Sequence, residues 1–203
     1  MARQFKIYCD LDNTLTDFPA AVAKLGPKAV EGLDDNADPE VKQVMYDAIE
    51  AAGDGFWSQM PWLSDGEKLW DWLKQFNPVL LTSPGKFRYA VSGKTQWVKD
   101  NIPGTTTFFE EDKWLWAERR SILIDDKEQN IIAWQSKGGI GITHKDAKST
   151  IDAVLWAIKN ISPSRAEHVV HLETLGELHN HLKMGGTKKS VPDFLRILAK
   201  NLI

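Results

Sequence analysis

The sequence has little of what marks secreted and membrane-spanning proteins. Its 203 residues include a single cysteine, Cys9, which excludes an internal disulfide framework and is typical of a reducing compartment. No apolar run approaches the roughly 20 residues that a membrane-spanning helix needs. The chain also enters a strand-like segment within its first ten residues, so we expect no secretory signal. These features predict a cytoplasmic protein with no membrane partner.

An excess of charge of one sign is also missing. The chain has 25 basic and 28 acidic residues, and its net charge is -3. Without a basic excess it lacks the electrostatic footprint of a nucleic-acid or anionic-membrane binder. We therefore expect no nucleic-acid partner; the small-molecule partner that we expect, a phosphate ester, follows from the residues described below. The length is sufficient for one domain with a real core and an inserted or appended piece.

Short apolar segments alternate with amphipathic helical stripes along the chain. The predicted strands are residues 5–9, 78–82, 105–109, 121–125 and 139–143. The helical stripes lie at 41–49, at 69–76, around Trp97 and at 151–158. Ser64 and Glu67 form a candidate capping box before the second stripe. This alternation predicts an α/β fold, a three-layer Rossmann-like parallel sheet, whose ligands bind at the carboxyl ends of the strands.

Charged and hydroxyl side chains stand at those predicted strand ends. They are Asp10 and Asp12 after the first strand, Thr82 and Ser83 at the second, and Asp125 and Asp126 at the fourth. Lys94, on the helix that follows Thr82, adds a positive charge. Because a parallel sheet brings these ends to one edge, we expect the side chains to converge there.

This set of side chains suits phosphoryl transfer. A carboxylate can attack phosphorus and form an aspartyl-phosphate, which is the role we predict for Asp10. Asp12 is predicted to protonate the leaving oxygen and later to activate water. A Mg²⁺ ion shared with the phosphate removes the charge repulsion, with Asp126 as a ligand and Asp125 as an auxiliary one.

Donors for the phosphate oxygens are predicted on the neighbouring elements. The hydroxyls of Thr82 and Ser83 can donate hydrogen bonds, and Lys94 supplies a point positive charge. Lys86 and Lys99 compete with Lys94 for this role, since a solvated lysine is the default interpretation of each.

The ordered motifs resemble those of the haloacid dehalogenase superfamily. DLDNTLT at 10–16 resembles the first motif, DxDxT, and Leu80–Thr82, Lys94 and Ile124–Asp126 resemble the second, third and fourth. The resemblance implies that Asp10 is the nucleophile and Asp12 the general acid/base. It also implies a Mg²⁺ held by Asp10, the Asp12 carbonyl and the fourth motif. The dehalogenases lack the second aspartate, so Asp12 favours a phosphatase.

Within that superfamily the sequence is most similar to the 5'(3')-deoxyribonucleotidases. TSPGK at 82–86 resembles their TSPxK, and GKTQWVK at 93–99 resembles the segment that carries their catalytic lysine. LIDDK at 123–127 and the turn at Asp112-Lys113 have counterparts as well, whereas Asn13-Thr14 replaces their usual Gly-Val. The resemblance implies that Ser83 and Lys86 contact phosphate and that the substrate is a (deoxy)nucleoside monophosphate.

The resemblance also implies a small helical cap inserted after the first strand. The predicted division is a catalytic core at 1–17 and 77–161, a cap at 18–76 and a helical extension at 162–203. Four aromatic residues near the cap are predicted to hold the base: Phe18, Phe56, Trp57 and Trp62. Stacking on a base contributes about 1–3 kcal/mol, but for Phe56 and Trp57 core packing is an equal alternative.

The extension and the substrate leave alternatives open. Residues 162–203 can pack on the sheet as helices or form the contact of a homodimer, and His171, His179 and His181 are interpreted as solvated helix residues. The same chemistry can act on a sugar phosphate or a nucleic-acid 3'-phosphate end, although the net charge disfavours a polynucleotide. A phosphotransferase uses the same residues. A non-catalytic binding protein can share the fold, but it has no need of Asp12.

Overall fold

The computed structural model of the protein describes residues 5–160. The predicted extension at 162–203, its proposed dimer contact and its three histidines lie outside the described residues. Across residues 5–160, no helix is both long and apolar enough to cross a lipid bilayer.

A five-stranded parallel sheet forms the centre of the described chain. Its strands are β1 (Lys6–Cys9), β2 (Val79–Thr82), β3 (Thr107–Phe109), β4 (Ser121–Asp125) and β5 (Ile140–Thr143). Their order across the sheet is β3-β2-β1-β4-β5, so β1 is central. Each strand falls within one of the predicted apolar runs, and the predicted parallel α/β fold is confirmed.

Between residues 5 and 160, eight α-helices connect and flank the strands. They are α1 (Phe18–Ala23), α2 (Pro27–Glu31), α3 (Pro39–Ala52), α4 (Asp54–Ser58), α5 (Gly66–Leu73), α6 (Ala90–Asn101), α7 (Glu128–Ser136) and α8 (Ala147–Asn160). Short 3-10 turns cover Lys74–Phe76 and Lys113–Trp116. The insertion between β1 and β2 therefore consists of α1–α5, while the predicted cap boundary at 18–76 stays a prediction.

The predicted capping box before α5 is wrong. The residue that precedes the helix is Asp65, not Ser64, and its carboxylate accepts a hydrogen bond from the Ala147 amide at the start of α8. The reason is the backbone of Gly66, where an added Cβ would lie 2.3 Å from the Leu15 carbonyl oxygen. This close approach fixes where the chain can turn into the helix.

Alternation along the strands divides the core into two layers of side chains. On one face, Tyr8, Leu81 and Leu123 pack with Ile131 and Trp134 of α7. Neighbouring residues on the same strands, including Cys9, point to the opposite face and are buried as well. Cys9 is thus the buried small apolar residue that its position in β1 predicts.

A glycine contact joins the insertion to the helix after β2. A Cβ added at Gly93 of α6 would lie 2.5 Å from Trp57 Cβ and 2.7 Å from the Asp54 carbonyl oxygen on α4. The two helices therefore approach closely at this point only because residue 93 has no side chain. This contact brings Trp57 next to Lys94, the residue that follows Gly93.

Candidate active site

Three carboxylates converge at the carboxyl edge of the sheet. Asp10 follows β1, and its amide donates to the Ile124 carbonyl at 2.8 Å, which holds it beside the end of β4. Carboxylate oxygens of Asp10, Asp125 and Asp126 lie within 4.8 Å of one another. Asp10 and Asp125 are buried and Asp126 is half-buried. Strand pairing thus produces the cluster that the strand-end pattern predicts.

A tight turn after Asp10 positions Asp12, the residue that the sequence predicts as the general acid/base. The amides of Leu15 and Thr16 both donate to the Leu11 carbonyl at 2.9 Å, which folds the segment back on itself. Asn13 has a φ of 56°, in the left-handed region that asparagine tolerates better than most residues. This conformation explains how Asn13 can stand where the resembling enzymes have glycine.

Lys94 connects Asp12 with the end of β2. Its ammonium lies 2.6 Å from Asp12 Oδ2, 2.9 Å from the Ser83 carbonyl oxygen and 3.4 Å from Thr82 Oγ1. The Lys94 side chain is 1% exposed, whereas that of Asp12 is 24% exposed. Lys99, on the same helix, is exposed. Of the competing lysines on α6, the structure therefore brings Lys94 into the site.

A second buried lysine, Lys113, was not among the predicted site residues. Its ammonium lies 2.7 Å from Asp10 Oδ1 and 2.6 Å from Asp125 Oδ2. Burial alone lowers the pKa of Lys113, but the adjacent Asp10 and Asp125 carboxylates outweigh this effect and raise it overall. The signal in the sequence was the Asp112-Lys113 turn, just beyond the end of β3.

The carboxylates carry more negative charge than the two lysines balance. Burial, together with the charge of Asp10, raises the pKa of Asp125 to about 6 despite Lys113, and the same two causes raise the pKa of Asp126. Burial also raises the pKa of Asp12, Lys94 lowers it, and Asp10 adds to the increase. The ionised cluster is therefore short of positive charge.

The donor set fits a divalent cation such as Mg²⁺. Within the part of the chain that the structure describes, Asp10 Oδ1 and Asp126 Oδ1 are buried oxygens without a hydrogen bond. Asp10 Oδ1 has the Lys113 ammonium nearby at 2.7 Å, but the geometry is that of an ion pair only. Hard oxygen ligands grouped in this way are those that Mg²⁺ prefers, and an ion there would supply the missing positive charge.

Ser83 and Lys86, the other predicted phosphate ligands, have different surroundings. The Ser83 hydroxyl donates to Glu111 Oε2 at 2.5 Å and accepts from the Gly85 amide at 3.0 Å. The Lys86 ammonium lies 3.4 Å from the centre of the Tyr46 ring, on α3. Ser83 is thus at the site with its hydroxyl engaged, and Lys86 contacts the insertion.

The structure brings together three of the four predicted base-binding aromatics. Ring centroids of Phe18 and Phe56 are 5.6 Å apart, and those of Phe56 and Trp57 are 4.9 Å apart. The Lys94 ammonium lies 4.9 Å from the Trp57 ring. Trp62 instead packs against Trp97 at 4.7 Å. The three-ring cluster borders the site, but Phe56 and Trp57 are only 6% and 3% exposed.

Comparison with known proteins identifies the fold. No protein-family model matches the sequence, and no curated protein matches it. A HAD-superfamily hydrolase of subfamily IA from Geobacter sulfurreducens matches the structure with a TM-score of 0.50 and 12% identity, over 75% of this chain and 99% of that one. A HAD family hydrolase from Deinococcus radiodurans, with bound phosphate and sodium, matches with a TM-score of 0.47 and 9% identity, over 70% of this chain and 80% of that one.

Proposed function

We propose that this chain, which has the fold of the HAD-like hydrolases, is a magnesium-dependent phosphomonoesterase that works through an aspartyl-phosphate on Asp10. The substrate that we propose is a (deoxy)nucleoside monophosphate. The observation that carries the proposal is the pairing of two strand-end carboxylates with separate buried lysines. Lys113 lies 2.7 Å from Asp10, and Lys94 lies 2.6 Å from Asp12.

The two carboxylates differ in the way that the two chemical roles require. Asp10 is buried, and the Lys113 ammonium lies 2.7 Å from its Oδ1, so the carboxylate that would attack phosphorus is held in one place. Asp12 is partly exposed, and its raised pKa favours a carboxyl group that can hold and release a proton. We therefore assign nucleophilic attack to Asp10 and proton transfer to Asp12.

In the first step, a carboxylate oxygen of Asp10 bonds to phosphorus as the ester bond to the leaving oxygen breaks. Asp12 gives its proton to that oxygen, and the alcohol leaves. In the second step, Asp12 takes a proton from water, the water oxygen bonds to phosphorus, and the bond from phosphorus to Asp10 breaks. The products are the alcohol and inorganic phosphate, and both aspartates return to their starting states.

The remaining groups bind and orient the phosphate. The ammonium groups of Lys94 and Lys113 offset negative charge, which is the main requirement of phosphoryl transfer. Thr82 Oγ1, at the end of β2 and 3.4 Å from the Lys94 ammonium, is a hydrogen-bond donor for a phosphate oxygen. A Mg²⁺ held by Asp10, Asp126 and the Asp12 carbonyl, with Asp125 as an auxiliary ligand, would screen the repulsion between the phosphate and the carboxylates.

The test is phosphate release from a panel of nucleoside and deoxynucleoside monophosphates, with Mg²⁺ or with EDTA. We expect release by the wild type in Mg²⁺ and none by Asp10→Asn. Asp17→Asn is a matched control, since Asp17 caps α1 through the Ala20 amide and is not part of the carboxylate cluster. Equal release by the Asp10→Asn and wild-type proteins would contradict the assignment of the nucleophile.

A sugar phosphate is the second candidate substrate. The observation that favours it is the burial of Phe56 and Trp57, which pack on each other and on Phe18 and so present little ring surface to a base. A panel that includes hexose and pentose phosphates decides between the two. Faster cleavage of these esters than of every nucleotide would retain the chemistry and replace the substrate.

A further inference from the structure

The one hydrogen of the Ser83 hydroxyl is engaged within the protein itself. It donates its one hydrogen to Glu111 Oε2 at 2.5 Å and accepts the Gly85 amide at 3.0 Å. A serine hydroxyl has a single hydrogen to donate. While Glu111 accepts that hydrogen, Ser83 has none to offer to an oxygen of a bound phosphate group.

Strand pairing fixes Glu111 beside Ser83. Residues Thr82 and Phe109 are partners at the carboxyl ends of β2 and β3, and the Glu110 amide donates to the Thr82 carbonyl at 2.9 Å. Glu111 follows directly, so its carboxylate lies next to the residue after Thr82. The contact is therefore a consequence of the sheet register, although the two residues are 28 positions apart in the chain.

The position of Ser83 shows why this matters to a phosphate ligand. The Ser83 carbonyl oxygen accepts the Lys94 ammonium at 2.9 Å, and the same ammonium contacts Asp12. A carboxylate that binds the Ser83 hydroxyl adds a negative charge at this edge of the site. Hydrogen bonds to an ionised partner are about twice as strong as neutral ones, so Ser83 is held to Glu111.

We propose that Glu111 is a positioning residue that withholds the Ser83 hydroxyl from the phosphate group and thereby weakens the binding of phosphate. The inference rests on the proposed function. Because Glu111 weakens the binding of the phosphate group, contacts with the leaving group supply more of the affinity for the substrate. For the same reason, the inorganic phosphate that the reaction produces inhibits the enzyme less. Glu111→Gln replaces the carboxylate with a neutral amide oxygen, which is a weaker acceptor, so that the Ser83 hydroxyl turns more readily towards the charged ligand.

The experiment is a titration of inorganic phosphate, in Mg²⁺ buffer, into four full-length proteins: wild type, Glu111→Gln, Glu110→Gln and the double variant Glu111→Gln with Ser83→Ala. Glu110→Gln is the matched control, because the neighbouring Glu110 carboxylate accepts the Asp112 amide at 3.1 Å and has the same charge. Inhibition of ester hydrolysis by phosphate, with kcat and KM, is measured on the same proteins.

We expect Glu111→Gln to bind phosphate roughly tenfold more tightly, the effect of one added hydrogen bond to a charged group. Glu110→Gln should bind like the wild type, and the double variant should lose the gain. In hydrolysis, Glu111→Gln should lower KM and the inhibition constant of phosphate with little change in kcat. A purely structural role of Glu111 would not produce this separation of KM from kcat.

Two outcomes would overturn the inference. If esters are cleaved and Glu111→Gln binds phosphate no better than Glu110→Gln, the role of Glu111 is wrong and the proposed function is unaffected. A gain that survives Ser83→Ala would also exclude the mechanism through Ser83. If the wild type cleaves no ester and none of the four proteins binds phosphate, the proposed function is wrong and the inference is lost with it.

Discussion

Two buried lysines at one edge of the sheet each contact carboxylates, and the two groups differ in the burial of the carboxylates and in their charge balance. In the buried group, Lys113 faces both Asp10 and Asp125, whose side chains are 6% and 0% exposed. In the second pair, Lys94 faces Asp12 alone, and the Asp12 side chain is 24% exposed. The lysines themselves are buried to the same degree.

This difference separates two requirements of one reaction. A nucleophile must be fixed in place, and the buried group meets this need because the Lys113 ammonium lies 2.7 Å from Asp10 Oδ1 and 2.6 Å from Asp125 Oδ2. An acid/base must exchange a proton with the leaving oxygen and with water, and a partly exposed carboxylate can do so. The comparison teaches that exposure, rather than residue type, distinguishes the roles that we propose for Asp10 and Asp12.

The largest expected effect is on activity. Asp10→Asn should lower kcat by a factor on the order of 10³ or more, because no covalent intermediate can form. Asp12→Asn should cost about 10²–10⁴ for esters with poor leaving groups. With a good leaving group such as 4-nitrophenol, Asp12→Asn should still form the phosphoenzyme and accumulate it, and Asp10→Asn should not.

Mass spectrometry of acid-quenched protein, with circular dichroism as a check of folding, measures this contrast. Accumulation of phosphoenzyme by Asp10→Asn would reverse the assignment of the two aspartates. Failure of Asp12→Asn to form phosphoenzyme from the 4-nitrophenyl ester would remove the distinction between the two pairs.

The next effect is on stability. Lys113→Met leaves two buried carboxylates without their cation, and breaking a buried ion pair from one side costs about 3–5 kcal/mol. Lys94→Met leaves only Asp12, which reaches water, and should cost less, about 1–3 kcal/mol. Urea unfolding in EDTA gives both values. A larger loss in Lys94→Met would show that burial of the carboxylate does not control the difference.

A smaller effect concerns pH and the metal. Burial and the charge of Asp10 raise the pKa of Asp125 to about 6 in the folded protein, above the roughly 3.9 of an unfolded chain. The native state therefore holds this proton more tightly, and its contribution to stability is present at low pH and is lost as the pH rises through about 6.

Because Mg²⁺ binds the ionised carboxylates, it should raise the melting temperature more at pH 7.5 than at pH 5. Thermal unfolding with Mg²⁺ or EDTA at the two pH values tests this. Asp71→Asn, which removes one partner of the exposed Lys74 ion pair, is the control. An equal Mg²⁺ effect at both pH values would contradict a metal site formed by the buried group.

The sequence predicted the parts of this comparison that follow from strand ends. Short apolar runs predicted all five strands, and the polar residues after them predicted that Asp10, Asp125 and Asp126 would meet. These predictions succeed because a parallel sheet aligns its carboxyl ends whatever the loops do. The turn at Asn13, with its left-handed conformation, is also compatible with the sequence pattern.

The contacts that depend on packing could not be predicted in this way. Lys113 lies in a 3-10 turn beyond β3, and only the sheet order brings its ammonium to Asp10 and Asp125. Glu111 meets Ser83 for the same reason. The cap of α5 was predicted one residue too early because the close approach of Gly66 to Leu15 is a tertiary contact. The periodicity of the sequence and its local motifs do not show which distant residues become neighbours in the fold.

A third lysine gives the smallest expected effect and extends the comparison to the surface. The resemblance to nucleotidases implies that Lys86 contacts phosphate, but its ammonium lies 3.4 Å from the centre of the Tyr46 ring. An exposed cation–π contact contributes about 0.5–1 kcal/mol. Lys86→Met should therefore lower the free energy of unfolding by about that amount. Lys42→Met is the control: Lys42 lies on α3, the helix that carries Tyr46, and its substitution removes only an exposed hydrogen bond to the Asp35 carbonyl.

The same variant separates the two roles of Lys86 through a double-mutant cycle with Tyr46→Leu. If Lys86 acts through Tyr46, the stability losses of the two single variants overlap, and KM for the ester changes little in Lys86→Met. If Lys86 turns to the phosphate when substrate binds, KM rises in Lys86→Met and Tyr46→Leu lowers it, because the ring no longer competes for the ammonium. The second result would show that an exposed lysine, as well as the two buried ones, binds the substrate phosphate. Burial would then no longer distinguish the lysines that take part in the proposed reaction from those that do not.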